Sequence, residues 1–341
     1  MKLLLPLLVC TASITSFVAL SQSIEDTFDK FDAIYQTQLG ATRGCQTPQE
    51  NVFKVCSDSL KNDGNAPFIL HHNKVTEKVV VLFHGLSDSP FYFRSIAQSI
   101  HQQGNNVIVA LMPGHGKNQA DEDMQDDKLA DRWRAHVSDV IDFSANLGEQ
   151  RYLGGFSTGG VLATEYILQN PQSVKGLALF SGALALDPSV ESMANIWGIQ
   201  WLAKILDGEY ATQGPNPYKY PSVARFSGFE LTEIIFSVRD LIEQGATLNL
   251  PIFAAHSMAD VTTPIVGVKN LMAVNNGPNT LFEISQDVDV CHGDVVINQE
   301  QLSDMQYDAS MLEEIMPCDV PKANPKHAEM LDSLNQFLTT Y

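Results

Sequence analysis

The sequence predicts an α/β fold, a mostly parallel sheet flanked by helices, and three observations predict it. Lys78-Val79-Val80-Val81-Leu82-Phe83 is a short, continuous, β-branched apolar run, the pattern of a strand buried on both faces. Gly155-Phe156-Ser157-Thr158-Gly159 lies between the strand-like Arg151-Tyr152-Leu153 and the helix-like Val161-Leu162-Ala163-Thr164-Glu165-Tyr166, a strand, tight turn and helix in succession. Further strand-like runs fall at Val107 to Leu111, Lys175 to Phe180, Leu250 to Ala255 and Leu281 to Ser285, spaced for intervening helices.

Taken in chain order, Met1-Lys2 supplies one positive charge and Leu3 to Leu20 is largely apolar. Ala19-Leu20-Ser21 offers small residues at the two cleavage-determining positions, so residues 1–21 read as a signal peptide. No basic cluster follows, which favours a removed leader over a retained anchor. Leu7-Leu8-Val9-Cys10 fits a bacterial lipidation site poorly, because valine precedes the cysteine and the apolar stretch before it is short. Residues 22–75 read as an N-terminal extension, joined to the sheet through Asn62-Asp63-Gly64-Asn65. No later segment has the roughly 18 unbroken apolar residues of a membrane span. The core then occupies 76–184 and 246–341. Between Ser181-Gly182-Ala183 and the strand near Leu250 the gap exceeds a single crossover helix, so 185–245 is expected to form a helical cap. Within it Met193, Trp197, Trp201 and Ile205 recur every four residues, and Leu231, Ile234, Ile235, Val238, Leu241 and Ile242 follow a helical stripe. Cap packing accounts for most of them, and a few are expected to wall an apolar acyl pocket. Gly214-Pro215-Asn216-Pro217-Tyr218-Lys219-Tyr220-Pro221 is a rigid aromatic loop expected across the entrance.

The glycines around Ser157 fit a serine lifted on a strained turn, where neighbours must lack side chains and tolerate unusual dihedrals. The helix that follows presents its unpaired N–H groups to a reacting oxygen. By itself such a pentapeptide is equally a Gly-rich turn. A serine hydroxyl needs a base, and the base an orienting acid; in the strand–turn–helix scheme the chain order is Ser, Asp or Glu, then His. Asp260 and His292 follow consecutive strand-like runs, at the carboxyl ends where open parallel sheets collect ligands, and are the expected acid and base. The main-chain N–H groups of Leu86, in the loop after Phe83, and of Thr158 are the expected oxyanion donors. His84, His115 and His256 are expected to brace their loops. Asp287 and Asp289 compete with Asp260, but they precede the base in its own loop. Asp287, Asp289 and Asp294 lack the Gly and terminal Glu of a calcium loop and read as solvated carboxylates. His71, His72 and His101 have no partners at metal spacing and read as surface residues.

On these residues the chain resembles serine hydrolases of the α/β-hydrolase superfamily, and within it the monoacylglycerol lipase and small carboxylesterase group. The resemblance rests on Phe83-His84-Gly85-Leu86, Leu111-Met112-Pro113-Gly114-His115-Gly116, Gly155 to Gly160, Asp260 with Val261 and Pro264, and His292, spanning 78 to 297. It implies an eight-stranded, mostly parallel sheet with the helical cap after the sixth strand. It also implies carboxylic ester hydrolysis through a Ser157–His292–Asp260 triad and an acyl-enzyme, with no metal or organic cofactor. The partner is then a small-molecule ester with an apolar acyl group. A thioesterase or peptidase on the same triad, or a non-catalytic secreted binding protein, stays open.

The chain departs from that group at Cys291, directly before His292. Setting Cys10 aside in the leader, four cysteines remain, and local pairing gives Cys45–Cys56 and Cys291–Cys318, one of three connectivities. The second bridge would pin the His292 loop to the C-terminal region; unpaired buried thiols are the other possibility. Leader and cysteines together point to export, periplasmic or secreted. The chain has 341 residues and a formal net charge of −19, which disfavours nucleic acid and anionic membrane surfaces as partners. Part of the excess lies in Asp121-Glu122-Asp123-Met124-Gln125-Asp126-Asp127, read as a solvated face.

Overall fold

The computed structural model describes residues 12–47, 49–186, 191, 203, 206, 208–312 and 314–341. Its strands are β1 (Thr42–Gly44), β2 (Val52–Ser57), β3 (Phe68–Leu70), β4 (Thr76–Phe83), β5 (Asn106–Ala110), β6 (Gly148–Phe156), β7 (Gly176–Phe180), β8 (Ile252–Ser257) and β9 (Asn279–Ile284). They form one sheet in the order β1-β2-β3-β5-β4-β6-β7-β8-β9. The pairs β1–β2, β2–β3 and β3–β5 are antiparallel, and the rest are parallel. The count is nine rather than eight; residues 22–75 contribute β1, β2 and β3, of which β1 is a three-residue edge strand. With β1 set aside, the insertion follows the sixth of the remaining eight strands.

Both faces of the central strands are covered, which is why they read as unbroken apolar runs. Val79, Val81 and Phe83 of β4 join one buried cluster with Trp133, Val161 and Ile234. Val80 and Leu82 join another with Ile96, Leu334 and Phe337. The first layer holds α1 (Ala12–Leu39), α4 (Leu129–Ser144) and α5 (Thr158–Gln169), with the short α3 (Asp121–Met124) ahead of α4. The second holds α2 (Arg94–Gln102) and the C-terminal α9 (His327–Thr340). Between them in sequence lie α6 (Arg225–Glu243), α7 (Val266–Val274) and α8 (Gln299–Met305).

The extension is integral to this core. Phe31 of α1 lies 5.2 Å from the Phe143 ring and Tyr35 lies 5.3 Å from His136, so α1 covers α4. Among the described residues the helix, Ala12–Leu39, includes the expected cleavage point after Ser21. His71, expected at the surface, is buried beside Phe28, and burial drops its pKa to about 4.

In the insertion, the stripe of α6 packs on α4 and α5, burying Leu231, Ile234, Ile235 and Val238. Met193, Trp197, Trp201 and Ile205 lie outside the described residues. The 214–221 loop is tied down at both edges. Tyr218 stacks on Phe91 with ring centroids 3.7 Å apart, and Asn62 Nδ2 donates to Pro217 O at 2.9 Å. Tyr220 N–H donates to Ser87 O at 2.8 Å, and its hydroxyl to Gly114 O at 3.0 Å.

Candidate active site

The strand order reverses around β4, which has β5 on one side and β6 on the other. Such a switch point opens a crevice at the carboxyl ends of the strands. Phe83 pairs with Gly155, so the loop carrying Leu86 and the turn carrying Ser157 leave the sheet side by side. Ser157 has φ 51° and ψ −115°, a left-handed conformation costly for a residue with a Cβ. Backbone bonds hold it there: its N–H donates to Phe180 O at 3.0 Å, and its carbonyl accepts from Gly160 and Ala183 N–H, each at 3.0 Å.

Close approach explains the flanking glycines. A Cβ on Gly159 would overlap the carbonyl of Phe83 and come within 2.8 Å of His84 O, and one on Gly155 would overlap the Gly159 carbonyl. Packing this tight brings the N-terminus of α5 against the end of β4. The N–H groups of Leu86 and Thr158 emerge there, and among the described residues neither donates to another group of the chain. His84 braces the loop as expected. Its Nε2 accepts from Met112 N–H at 3.0 Å, leaving Nδ1–H to donate to Gly85 O at 2.8 Å. Burial drives its pKa well down, so the ring is neutral.

Asp260 and His292, which come from the loops after β8 and β9, meet: His292 Nδ1 lies 2.7 Å from Asp260 Oδ2. Thr262 and Thr263 N–H donate to Asp260 Oδ1 at 2.9 and 3.0 Å. Burial alone would raise the Asp260 carboxyl, but the His292 imidazole and the Thr263 N–H beside it bring the pKa below the ordinary value. An ionised Asp260 fixes the proton on Nδ1 and frees Nε2 as an acceptor. His256 lies against the same carboxylate, with Nε2 3.5 Å from Asp260 Oδ2, and supports the loop through Nε2 at 2.7 Å from Thr263 O. Asp287 and Asp289 are exposed. Thr263 was not anticipated: its hydroxyl lies 3.1 Å from both Asp260 Oδ2 and His292 Nδ1. The signal was available in Asp260-Val261-Thr262-Thr263-Pro264, an Asp whose side chain caps the turn it starts.

Ser157, Leu86 and His292 line one cavity of about 850 Å³, and the Phe156 ring lies 4.9 Å from the imidazole. Leu186, Val223 and Leu231 give it an apolar wall, while Asp88, Lys219 and Asp294 face it from elsewhere. Asp294 corrects the expectation of a solvated carboxylate. It is 5% exposed, and burial raises its pKa to about 6. Both local disulfides are present, Cys45–Cys56 and Cys291–Cys318, and the second joins the residue before His292 to a loop that lines the cavity. Among the described residues no group of three or more His, Cys, Asp or Glu side chains is arranged to hold a metal ion, and no helix is long and apolar enough to cross a membrane.

The Hydrolase_4 family model, described as serine aminopeptidase, S33, matches residues 74–223. No curated protein matches the sequence. The chain is similar in structure to a monoacylglycerol lipase from Paleococcus ferrophilus, at 18% identity and TM-score 0.53 over 78% of this chain and 96% of that one. It is similar also to a soluble variant of monoglyceride lipase from Saccharomyces cerevisiae, at 11% identity and TM-score 0.54 over 90% and 97%. A third likeness, from work on the metagenome-derived lipolytic enzymes LipS and LipT, has 18% identity and TM-score 0.55 over 70% and 94%. At these identities the likeness is one of fold, and the fold is that of the α/β-hydrolases.

Proposed function

We propose that the protein is an exported serine hydrolase that cleaves carboxylic esters with an apolar acyl group through an acyl-enzyme. The observation that carries the proposal is the left-handed Ser157 opening into the cavity that also holds the Asp260-bonded His292. Ser157 Oγ attacks the ester carbonyl while His292 Nε2 takes its proton and later passes it to the leaving alcohol. Asp260 holds the ring and offsets its cationic charge. The free N–H groups of Leu86 and Thr158 receive the developing oxyanion, where one such donor is worth roughly 3 kcal/mol of barrier. Water repeats the sequence to release the acid. The apolar wall of Leu186, Val223 and Leu231 takes the acyl chain. The two disulfides suit an oxidising compartment, periplasmic or extracellular, reached through the leader at residues 1–21.

Labelling of the full chain with a fluorophosphonate probe tests this, beside Ser157→Ala and a panel of esters of graded acyl length. Labelling and ester turnover that both vanish in the variant are the expected result. Turnover retained by Ser157→Ala refutes the assignment. The likeness to the serine aminopeptidase family model favours one second reading, amide cleavage; turnover of aminoacyl amides in preference to the matched esters would select it.

A further inference from the structure

The cavity that holds Ser157 and His292 is lined by polar as well as apolar residues. Asp294 sits in the single turn His292–Val296 that carries the proposed base. Its Oδ1 accepts from Lys322 N–H at 3.0 Å, and among the described residues its second carboxylate oxygen accepts no hydrogen bond. That leaves one carboxylate oxygen of a cavity-lining residue open to a donor on a ligand. Beside it, Lys219 Nζ lies 2.6 Å from Oδ1 of Asp88, which is 2% exposed. Lys219 and Lys322 favour the ionised form of Asp294, but burial outweighs them. Tyr307, Pro317 and Asp319 close this end of the cavity. They belong to a segment held by the Cys291–Cys318 bridge, by Tyr307 Oη donating to Asp319 O at 3.0 Å, and by Asp308 N–H donating to Pro215 O at 2.9 Å.

We propose that Asp294 is the specificity-determining residue of a leaving-group subsite that takes alcohols bearing a hydrogen-bond donor, hydroxyl or ammonium, and turns away anionic ones. The assignment rests on the ester-hydrolase reading above. A carboxylate accepts but does not donate, so the complementary group on the substrate must carry an N–H or O–H. Asp88, Asp294 and Asp319 outnumber Lys219 and the nearby Lys322, and the chain as a whole carries −19, so a carboxylate or phosphate on the leaving group is repelled. Two sources satisfy the same chemistry, a polyol and a protonated amino alcohol.

One acyl chain on four alcohols separates the outcomes: propanol, glycerol, 2-(dimethylamino)ethanol and glycolate. The full disulfide-bonded chain is expected to give kcat/KM at least about tenfold higher on the glycerol or the dimethylaminoethyl ester than on the propyl ester, as befits a hydrogen bond to a charged acceptor, and lowest on the glycolate ester. Which of the two favoured esters leads identifies the source. In Asp294→Asn, and again in Asp294→Ala, the ratio to the propyl ester collapses toward one. A ratio is taken within each protein, so a loss common to all esters leaves it unchanged. A wild-type ratio near one, or a ratio untouched by both substitutions, overturns the subsite alone. Failure to turn over any of the four esters overturns the ester-hydrolase reading and the subsite with it.

Discussion

Replacing Asp294 with Asn should make the protein more stable, and by an amount that grows with pH. Burial raises the Asp294 pKa from the ordinary 3.8 to about 6, even though Lys322 and Lys219 both favour its ionised form. In the unfolded chain the carboxyl ionises above 3.8; in the folded one it keeps its proton until about 6. The raised folded value means the native state is penalised once the group must ionise, so stability falls as pH rises between those two values. Integrating the linkage gives a penalty of about 0.5 kcal/mol at pH 4 and about 3 kcal/mol at pH 8. Asn does not titrate and reproduces the shape of the protonated acid. Urea unfolding of the two proteins with disulfides intact, followed by fluorescence at pH 4, 6 and 8, measures the difference directly. The variant should match the wild type closely at pH 4 and exceed it by about 3 kcal/mol at pH 8. A difference that stays constant across this range, or a variant less stable at pH 8, would show that the carboxyl is neither dehydrated nor unpaired, and the reasoning about the subsite would lose its physical basis.

Asp260→Asn removes the acceptor that fixes the His292 proton; ester turnover should fall roughly 10³- to 10⁴-fold with the circular dichroism spectrum unchanged, and a loss below tenfold would point to another orienter. Gly159→Ala forces a Cβ into the Phe83 carbonyl and should cost at least about 3 kcal/mol, read as a lowered urea midpoint together with lost probe labelling. Replacing both Cys291 and Cys318 by Ser opens a loop with a sequence separation of 27, worth about 3.6 kcal/mol by chain entropy, against about 2.8 kcal/mol for the Cys45–Cys56 loop of separation 11. Only the first pair should also erase discrimination among leaving alcohols, because only that bridge holds the segment over Asp294.

What could be read in advance follows from where the information lies in the chain. The central strands announce themselves because both faces are covered, so β4 and β7 carry no polar break in Val79 to Phe83 or Leu177 to Phe180. The elbow is legible because Gly155 and Gly159 stand where a Cβ would strike backbone. The two disulfides were within reach because each closes a short local loop. The short strands at the β1 end of the sheet were not. Thr42-Arg43-Gly44 and Val52-Phe53-Lys54 mix polar and apolar residues over too few positions for a period to show, and only pairing with neighbours makes them strands. Asp294 was misjudged for the same kind of reason. Its neighbours in sequence, Gly293 and Val295, say nothing of burial, which is imposed by Lys322 and the bridged segment before it. His71 is buried by Phe28, 43 positions away in the chain, through a contact no local pattern encodes.

Features that cost free energy gather at one place in this molecule. Ser157 holds a left-handed backbone, the N–H groups of Leu86 and Thr158 have no partner among the described residues, and two carboxylates, Asp88 and Asp294, are buried beside the same cavity. A cavity shaped only to bind an apolar ligand accounts for Leu186, Val223 and Leu231 and gives no reason for any of these. Strain and unsatisfied polarity persist where the surrounding structure enforces them, and they cluster at sites of chemistry. The Asp260–His292 pair sharpens the distinction. Its geometry fixes which imidazole nitrogen carries the proton, a matter of indifference to binding and a requirement for taking a proton from Ser157. A protein that merely held its ligand would be stabilised by Asp294→Asn with nothing lost, whereas a hydrolase that reads its leaving group through Asp294 gains the same stability and loses the selectivity. Measuring stability and ester ratios on one variant therefore separates the two roles.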